Sequence, residues 1–359
     1  MNKNIRYIKK AAWMALPALL LASCSDWTET ESLKLNEPTI ETQNPELYEQ
    51  YLENLRAYKS SAHQVVIASF DNVADLPTSR SQHLTDMPDS LDYICLNNIK
   101  EVNEVNAAEF ADVHRFGTKV LGLVDFDAIE RAWKAILEEE KNNATADEGG
   151  EGETTPQPDE ATRFIEYCEQ EVNSLIEACT AQGVDGIEVN FTGYDLNSLV
   201  QEEDIAAETA RQAAFFDAVS SWKSTNADKV LLFKGAPQNV MNKAVLNTCK
   251  YIIVNAHGAK NLYEMSYLIL MASTKDVPTD RFVMGVTTPY LTNAGTYNGE
   301  LGDGSSAIIA AAQWSVAASA DYTKTGISID GVEQDYYSNV NNVYPNVKEA
   351  IDILNPTVK

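Results

Sequence analysis

Eight short apolar runs, each separated from the next by a longer connecting segment, limit what this chain can fold into more than any other feature. They lie at 64–70, 91–96, 119–124, 184–191, 229–233, 251–254, 281–286 and 326–329. Most are continuous stretches of Val, Ile, Leu and Phe rather than strict alternations, the pattern of parallel strands covered on both faces. Helical patterns fall between and beyond them at 107–116, 127–141, 161–181, 204–224, 240–248, 262–273 and 305–319, and Pro345–Leu354 closes the series. An earlier one covers Pro45–Ser60, where Tyr48, Tyr51, Leu52 and Leu55 recur at the spacing of one helical face. This order predicts an α/β chain closed into a single-domain (β/α)8 TIM barrel, with candidate binding groups at the C-terminal strand ends. An open doubly wound sheet is the alternative. No Gly-x-Gly-x-x-Gly loop follows the first run, which disfavours a dinucleotide fold.

The flanking segments have a different character. Residues 1–23 carry Lys3, Arg6, Lys9 and Lys10 ahead of an apolar run at 11–22, the layout of a signal peptide and too short to span a bilayer stably. The run ends Leu21-Ala22-Ser23-Cys24, which resembles a bacterial lipobox. The resemblance implies cleavage before Cys24, lipidation of that cysteine and attachment to a membrane through the lipid, with a soluble body. The acids Asp26, Glu29 and Glu31 directly behind it resemble the surface-export signals of Bacteroidetes lipoproteins, implying an outer-membrane, cell-surface location. Residues 24–46 read as a tether and 47–359 as the barrel. Residues 142–159, rich in Glu, Gly, Thr and Pro, read as a disordered acidic insertion between the third and fourth strands.

Charge and metal-ligand spacing exclude several functions. The chain has a formal net charge of −26, and loss of the basic leader would make it more acidic still. Such a field repels phosphate backbones, so nucleic acid is not an expected partner. Besides Cys24, the cysteines are Cys95, Cys168, Cys179 and Cys249; they lack metal-site spacing and read as small buried hydrophobes. His63, His83, His114 and His257 show no metal spacing either, so no metal or cofactor is expected. No Gly-x-Ser-x-Gly nucleophile elbow is present.

The fourth run holds the most informative residues. Around its apolar positions, Glu188, Asn190 and Thr192 fall on one strand face, either solvated or lining a site. Residues 183–192 resemble the fourth-strand motif of glycoside hydrolase family 18, Asp-x-x-Asp-x-Asp-x-Glu. Asp185 matches its first acid, Glu188 and Asn190 replace the second and third, and Thr192 stands where the catalytic Glu belongs. Residues 84–96, with Pro88-Asp89-Ser90-Leu91-Asp92-Tyr93, are similar to the run entering the second strand in the endo-β-N-acetylglucosaminidase branch. Residues 326–337 are similar to the eighth-strand segment, without the usual aromatic near Asp330.

What the resemblance implies turns on these substitutions. In the family the Glu protonates the leaving oxygen and the substrate's own N-acetyl group attacks. Thr192 has no proton to give near neutral pH, and a positioned general acid contributes roughly 10²- to 10⁴-fold. Asn190 can hydrogen-bond an N-acetyl group but cannot stabilise developing positive charge. The expectation is therefore a catalytically inactive family 18-like barrel that captures N-acetylglucosamine-containing glycans such as N-glycans, with glycan or glycoprotein as partner and an outer-membrane uptake complex as its setting. The candidate glycan-binding residues are Asn190, Thr192, Tyr194, Asn255, His257, Tyr290 and Gln334, and Phe191 and Tyr336 are further aromatics near strand ends. The alternative is an active endo-β-N-acetylglucosaminidase with a relocated acid, for which Glu188, Asp195, Glu333 and Asp335 are the carboxylates at hand. A structural subunit of an uptake complex, with no ligand of its own, is a third option.

Overall fold

The computed structural model describes residues 39–146, 158–291, 297–337 and 342–356. The leader, Cys24, most of the expected tether and the middle of the acidic insertion lie outside those residues. By contacts the chain divides at Tyr51 into two units. In the first, Ile40–Gln43 forms a single helical turn inside the expected tether, started by the Thr39 side chain, which accepts from the Thr42 N–H. The second, from Leu52 onward, is the barrel.

Eight parallel strands close on themselves: β1 (Val65–Phe70), β2 (Tyr93–Leu96), β3 (Lys119–Asp125), β4 (Gly186–Phe191), β5 (Val230–Gly235), β6 (Tyr251–Asn255), β7 (Phe282–Thr287) and β8 (Lys324–Asp330), with β8 pairing back to β1. The helices are α1 (Pro45–Ser60), α2 (Glu104–Arg115), α3 (Phe126–Ala146), α4 (Glu160–Gln182), α5 (Glu202–Thr225), α6 (Leu262–Ala272), α7 (Ala307–Val316) and α8 (Pro345–Leu354). A two-residue antiparallel ribbon, Tyr290–Leu291 with Tyr297–Asn298, follows β7.

Period-two alternation divides each strand between two cores. One row packs against the helices: Ile187, Val189 and Phe191 on β4 join the outer shell with Phe126, Phe164, Phe215 and Val219. The other row fills the barrel's lower interior with Val65, Ile67, Leu121, Val230, Leu232, Ile253 and Val283. Burying side chains of this size stabilises by about 1.5–3 kcal/mol each, so both rows must be apolar low in the barrel. Cys95, Cys168, Cys179 and Cys249 are free and buried, as their spacing suggested.

Two elements depart from expectation. Residues 240–248 form no α-helix; Pro237–Asn239 and Lys243–Thr248 are 3-10 turns, and the Asn242 side chain caps the second by accepting from the Ala244 N–H. The link from Gly235 to Tyr251 is short, and a 3-10 turn rises further per residue than an α-helix, so it spans the gap with less chain. The acidic insertion is also narrower than expected. α3 continues to Ala146, and Asp159 caps α4 by accepting from the Thr162 N–H at 2.9 Å. α4 ends at Gly183, whose φ of +70° is left-handed; glycine takes this conformation without steric cost and turns the chain into β4.

β3 runs into α3 without a loop: Asp125 ends one and Phe126 begins the other. Phe126 fixes that junction, with its ring 4.9 Å from Phe191, 5.3 Å from Phe215 and 6.2 Å from Phe164. The start of α3 is thereby held at the C-terminal rim of the barrel.

Candidate functional site

Register brings polar residues together at that rim. Asp125 on β3 pairs with Asn190 on β4, and Asn190 pairs with Lys234 on β5, so three side chains from neighbouring strands stand at one level of the interior. Asn255 ends β6 and Asp330 ends β8. A cleft of about 630 Å³ opens over them, lined at the barrel mouth by Asp125, Asn190, Lys234, Asn255, His257 and Asp330. Its volume falls within the ordinary range for a ligand site.

The charges are tightly linked. Lys234 is 8% exposed; its Nζ donates to Asp330 Oδ1 and to Ser69 Oγ at 3.4 Å, and lies 3.7 Å from Glu188 Oε1. His257 Nε2 meets the other Asp330 oxygen at 2.8 Å. Burial alone would lower the Lys234 pKa, but the carboxylates of Asp330 and Glu188 outweigh it and hold the ammonium charged. Burial alone would raise Asp330, but Lys234 and His257 hold its carboxyl well below the usual range. Glu188 is fully enclosed, so burial dominates and pushes its pKa up despite Lys234. Both Glu188 oxygens lack a hydrogen-bond partner among the described residues, as do Asn255 Oδ1 and Ser328 Oγ.

Asn190 is held from the α3 side. Its Nδ2 donates to Asp125 Oδ1 at 2.7 Å and Asp127 Oδ2 at 3.3 Å. The Thr192 backbone N–H donates to Asp127 Oδ1 at 3.0 Å, and the Thr192 carbonyl accepts from Asn239 Nδ2 at 2.8 Å. Gly285 gives Asn255 its space: a Cβ there would stand 2.6 Å from Asn255 Oδ1.

Of the residues singled out from the sequence, Asn190, Asn255 and His257 line the cleft. Thr192 is exposed at the rim, fixed through its backbone. Tyr194 lines a separate groove with Trp133, Phe164 and Arg211. Tyr290 sits in the ribbon and accepts from Asn298 Nδ2, and Gln334 is exposed and donates to Glu333; neither lines the cleft. Phe191 and Tyr336 are buried packing residues and present no open face. Asp185 lies at the opposite end of β4, where its Oδ2 accepts from the Val120 N–H and meets His114 Nε2, both at 2.8 Å. Sequence reasoning missed Lys234, Asp125 and Asp127. Among the described residues no group of three His, Cys, Asp or Glu is placed to hold a metal ion.

The chain has a match among known protein families. The family described as glycoside hydrolase family 18, BT1044-like, matches residues 28–353. The chain belongs to that family. The solved structure of a BT1044 variant resembles this family 18 chain with a TM-score of 0.57 and 14% identity, over 89% of this chain and 96% of that one. An endo-β-N-acetylglucosaminidase from Cordyceps militaris does so with a TM-score of 0.54 and 16% identity, over 86% and 96%. A double variant of that enzyme in complex with fucosyl-N-acetylglucosamine-Asn has the same TM-score and identity over 85% and 95%. At these identities the likeness is one of fold. No curated protein matches the sequence.

Proposed function

We propose that this family 18 barrel binds N-acetylglucosamine-containing glycans at its mouth without cleaving them. The observation that carries the reading is Thr192. It occupies the acid position of the β4 motif, its backbone is pinned by Asp127 and Asn239, and its hydroxyl has no usable proton. The carboxylates considered as substitutes are engaged elsewhere. Glu188 is enclosed beneath the mouth beside Lys234. Asp195 caps the turn Leu196–Ser198, Glu333 accepts from the Asp71 N–H, and Asp335 accepts from Asn346 and the Val347 N–H at the start of α8. What lines the mouth is suited to reading sugar hydroxyls and amides: Asn190 and Asn255, the ammonium of Lys234 and the imidazole of His257. The fucosyl-N-acetylglucosamine-Asn bound to a protein of the same fold supports the choice of ligand class.

A second reading attaches to Asp125 and Asp127, which stand beside Asn190 and would place an acid on the α3 side of a hydrolytic site. Calorimetry against a panel of N-glycans and chitin-type oligosaccharides, with a parallel assay for glycan release, separates the two. The expected result is saturable binding with no release. Release abolished by Asp125→Asn or Asp127→Asn would establish the hydrolase, and absence of binding to the whole panel would sink both readings.

The N-terminal sequence extends the proposal to a lipoprotein acylated at Cys24 and displayed on the outer membrane beside a glycan uptake system. Cys24→Ala is expected to release the protein from the membrane fraction, and protease treatment of intact cells is expected to remove the wild-type chain.

A further inference from the structure

The cleft does not stop at the mouth. Its lining continues past Leu123 into a trough outside the strand ring, floored by Ala128, Ile129 and Ala132 of α3 and by Tyr167 and Leu175 of α4. Asn97, Asn98, Arg131 and Glu171 also line this part of the cleft. The two regions differ in chemistry. The mouth is charged and hydrogen-bonding, whereas the trough combines an apolar floor with polar neighbours. A pyranose has the same division, with an apolar C–H face and a ring of hydroxyls around it, and an aromatic side chain such as Tyr167 suits its flat face.

The trough is a formed surface. The Tyr167 ring lies 5.4 Å from the Trp133 ring, and Trp133 is packed against Phe164 at 6.2 Å. Glu171 is held by Lys100 Nζ at 3.0 Å, and Arg131 lies 3.4 Å from Asp125 Oδ2, the same carboxylate group that holds Asn190. Arg131 and Asp125 thus join the trough to the mouth. A volume of about 630 Å³ is more than one sugar ring fills.

We infer that the trough is a second arm of the glycan site, holding a further part of the saccharide whose N-acetylglucosamine end occupies the mouth. Tyr167, Leu175 and Ala132 then set preference for extended or branched chains over short ones. The inference rests on the glycan-binding reading above. Its occupant is saccharide rather than peptide, because the groups around the floor are side-chain amides and charges, and among the described residues no exposed strand edge is there to pair a peptide backbone.

The test blocks the trough without touching the mouth. Ala132 is exposed on α3, so Ala132→Trp fills the floor while leaving the core intact. Binding of N,N′-diacetylchitobiose and of a branched N-glycan is measured by calorimetry for the wild type and for this variant. Ala132→Trp is expected to weaken the branched glycan at least about tenfold and to leave the disaccharide within about twofold. Leu175→Arg, at a second half-buried position of the floor, is expected to reproduce the split. Equal loss for both ligands, no loss for either, or preferential capture of the unglycosylated peptide by the wild type would overturn the inference and leave mouth binding standing. If the wild type binds neither saccharide, the underlying reading falls and this one with it.

Discussion

The two ends of the barrel interior are built from the same eight strands and solve opposite problems. At the base, Tyr93 and Tyr251 meet edge-on with ring centres 6.1 Å apart, and Lys250 Nζ donates to the Tyr93 hydroxyl at 2.6 Å. His63 Nε2 and the Val66 N–H both engage Asp92, at 2.8 Å and 2.9 Å. Each of these polar groups has a partner, and the apolar layer above them seals the end. At and just beneath the mouth, Glu188, Asn255 and Ser328 keep oxygens without partners among the described residues, and one ammonium serves two carboxyl groups. Unpaired buried oxygens cost stability in a free protein. The base is therefore built for stability, and the mouth gives up stability to hold charged and polar groups under the cleft.

The sharpest break in that comparison is Lys234→Met. It leaves Asp330 and Glu188 enclosed without their cation, and the loss expected is about 3–5 kcal/mol in denaturant unfolding at neutral pH. A loss no larger than that of Lys250→Met, an exposed base residue, would erase the contrast.

The next effect is in pH. Asp330 has a depressed folded pKa, so its contribution is full above its ordinary value of 3.8 and lost as pH falls below it. His63 has a raised folded pKa, chiefly through its hydrogen bond to Asp92 and against the cost of burial, so its contribution is full below 6.5 and lost as pH rises past its raised value. Glu188, whose pKa burial pushes up, adds a loss in the same direction as pH rises above 4.5. Asp330→Asn is expected to flatten the acid limb of the stability profile by on the order of 2 kcal/mol, and His63→Gln to flatten the fall at higher pH. Thermal unfolding across pH 2–9 tests both, and swapped limbs would refute the assignment.

The smallest effect belongs to the base alone. Tyr93→Phe removes one hydrogen bond and is expected to cost about 1 kcal/mol with no change in glycan affinity. A matching loss of affinity would show that the two ends are coupled.

The barrel was legible because its strands are apolar runs, and the site was half legible for the same reason. The apolar runs end at Val124, Phe233, Val254 and Ile329, whereas the strands continue to Asp125, Gly235, Asn255 and Asp330. A polar residue at the end of an apolar run looks like the start of a loop, and in a barrel of this class that is where binding groups stand. Lys234 was lost in this way, although a lone lysine closing Val-Leu-Leu-Phe is a usable signal. Asn255 and His257 were found because they were sought at a strand end. Tyr194 and Gln334 show the converse, since loop residues near a strand end take directions that sequence does not set.

The loopless passage from β3 into α3 has a kinetic consequence. Asp125, Asp127 and Arg131 lie on regular structure anchored by Phe126, so this wall of the cleft exists before a ligand arrives. Binding against it spends no chain entropy on ordering that wall. Saccharide association along it should proceed as a single encounter step whose rate rises linearly with ligand concentration, and differences in affinity among glycans should appear in how long each stays bound.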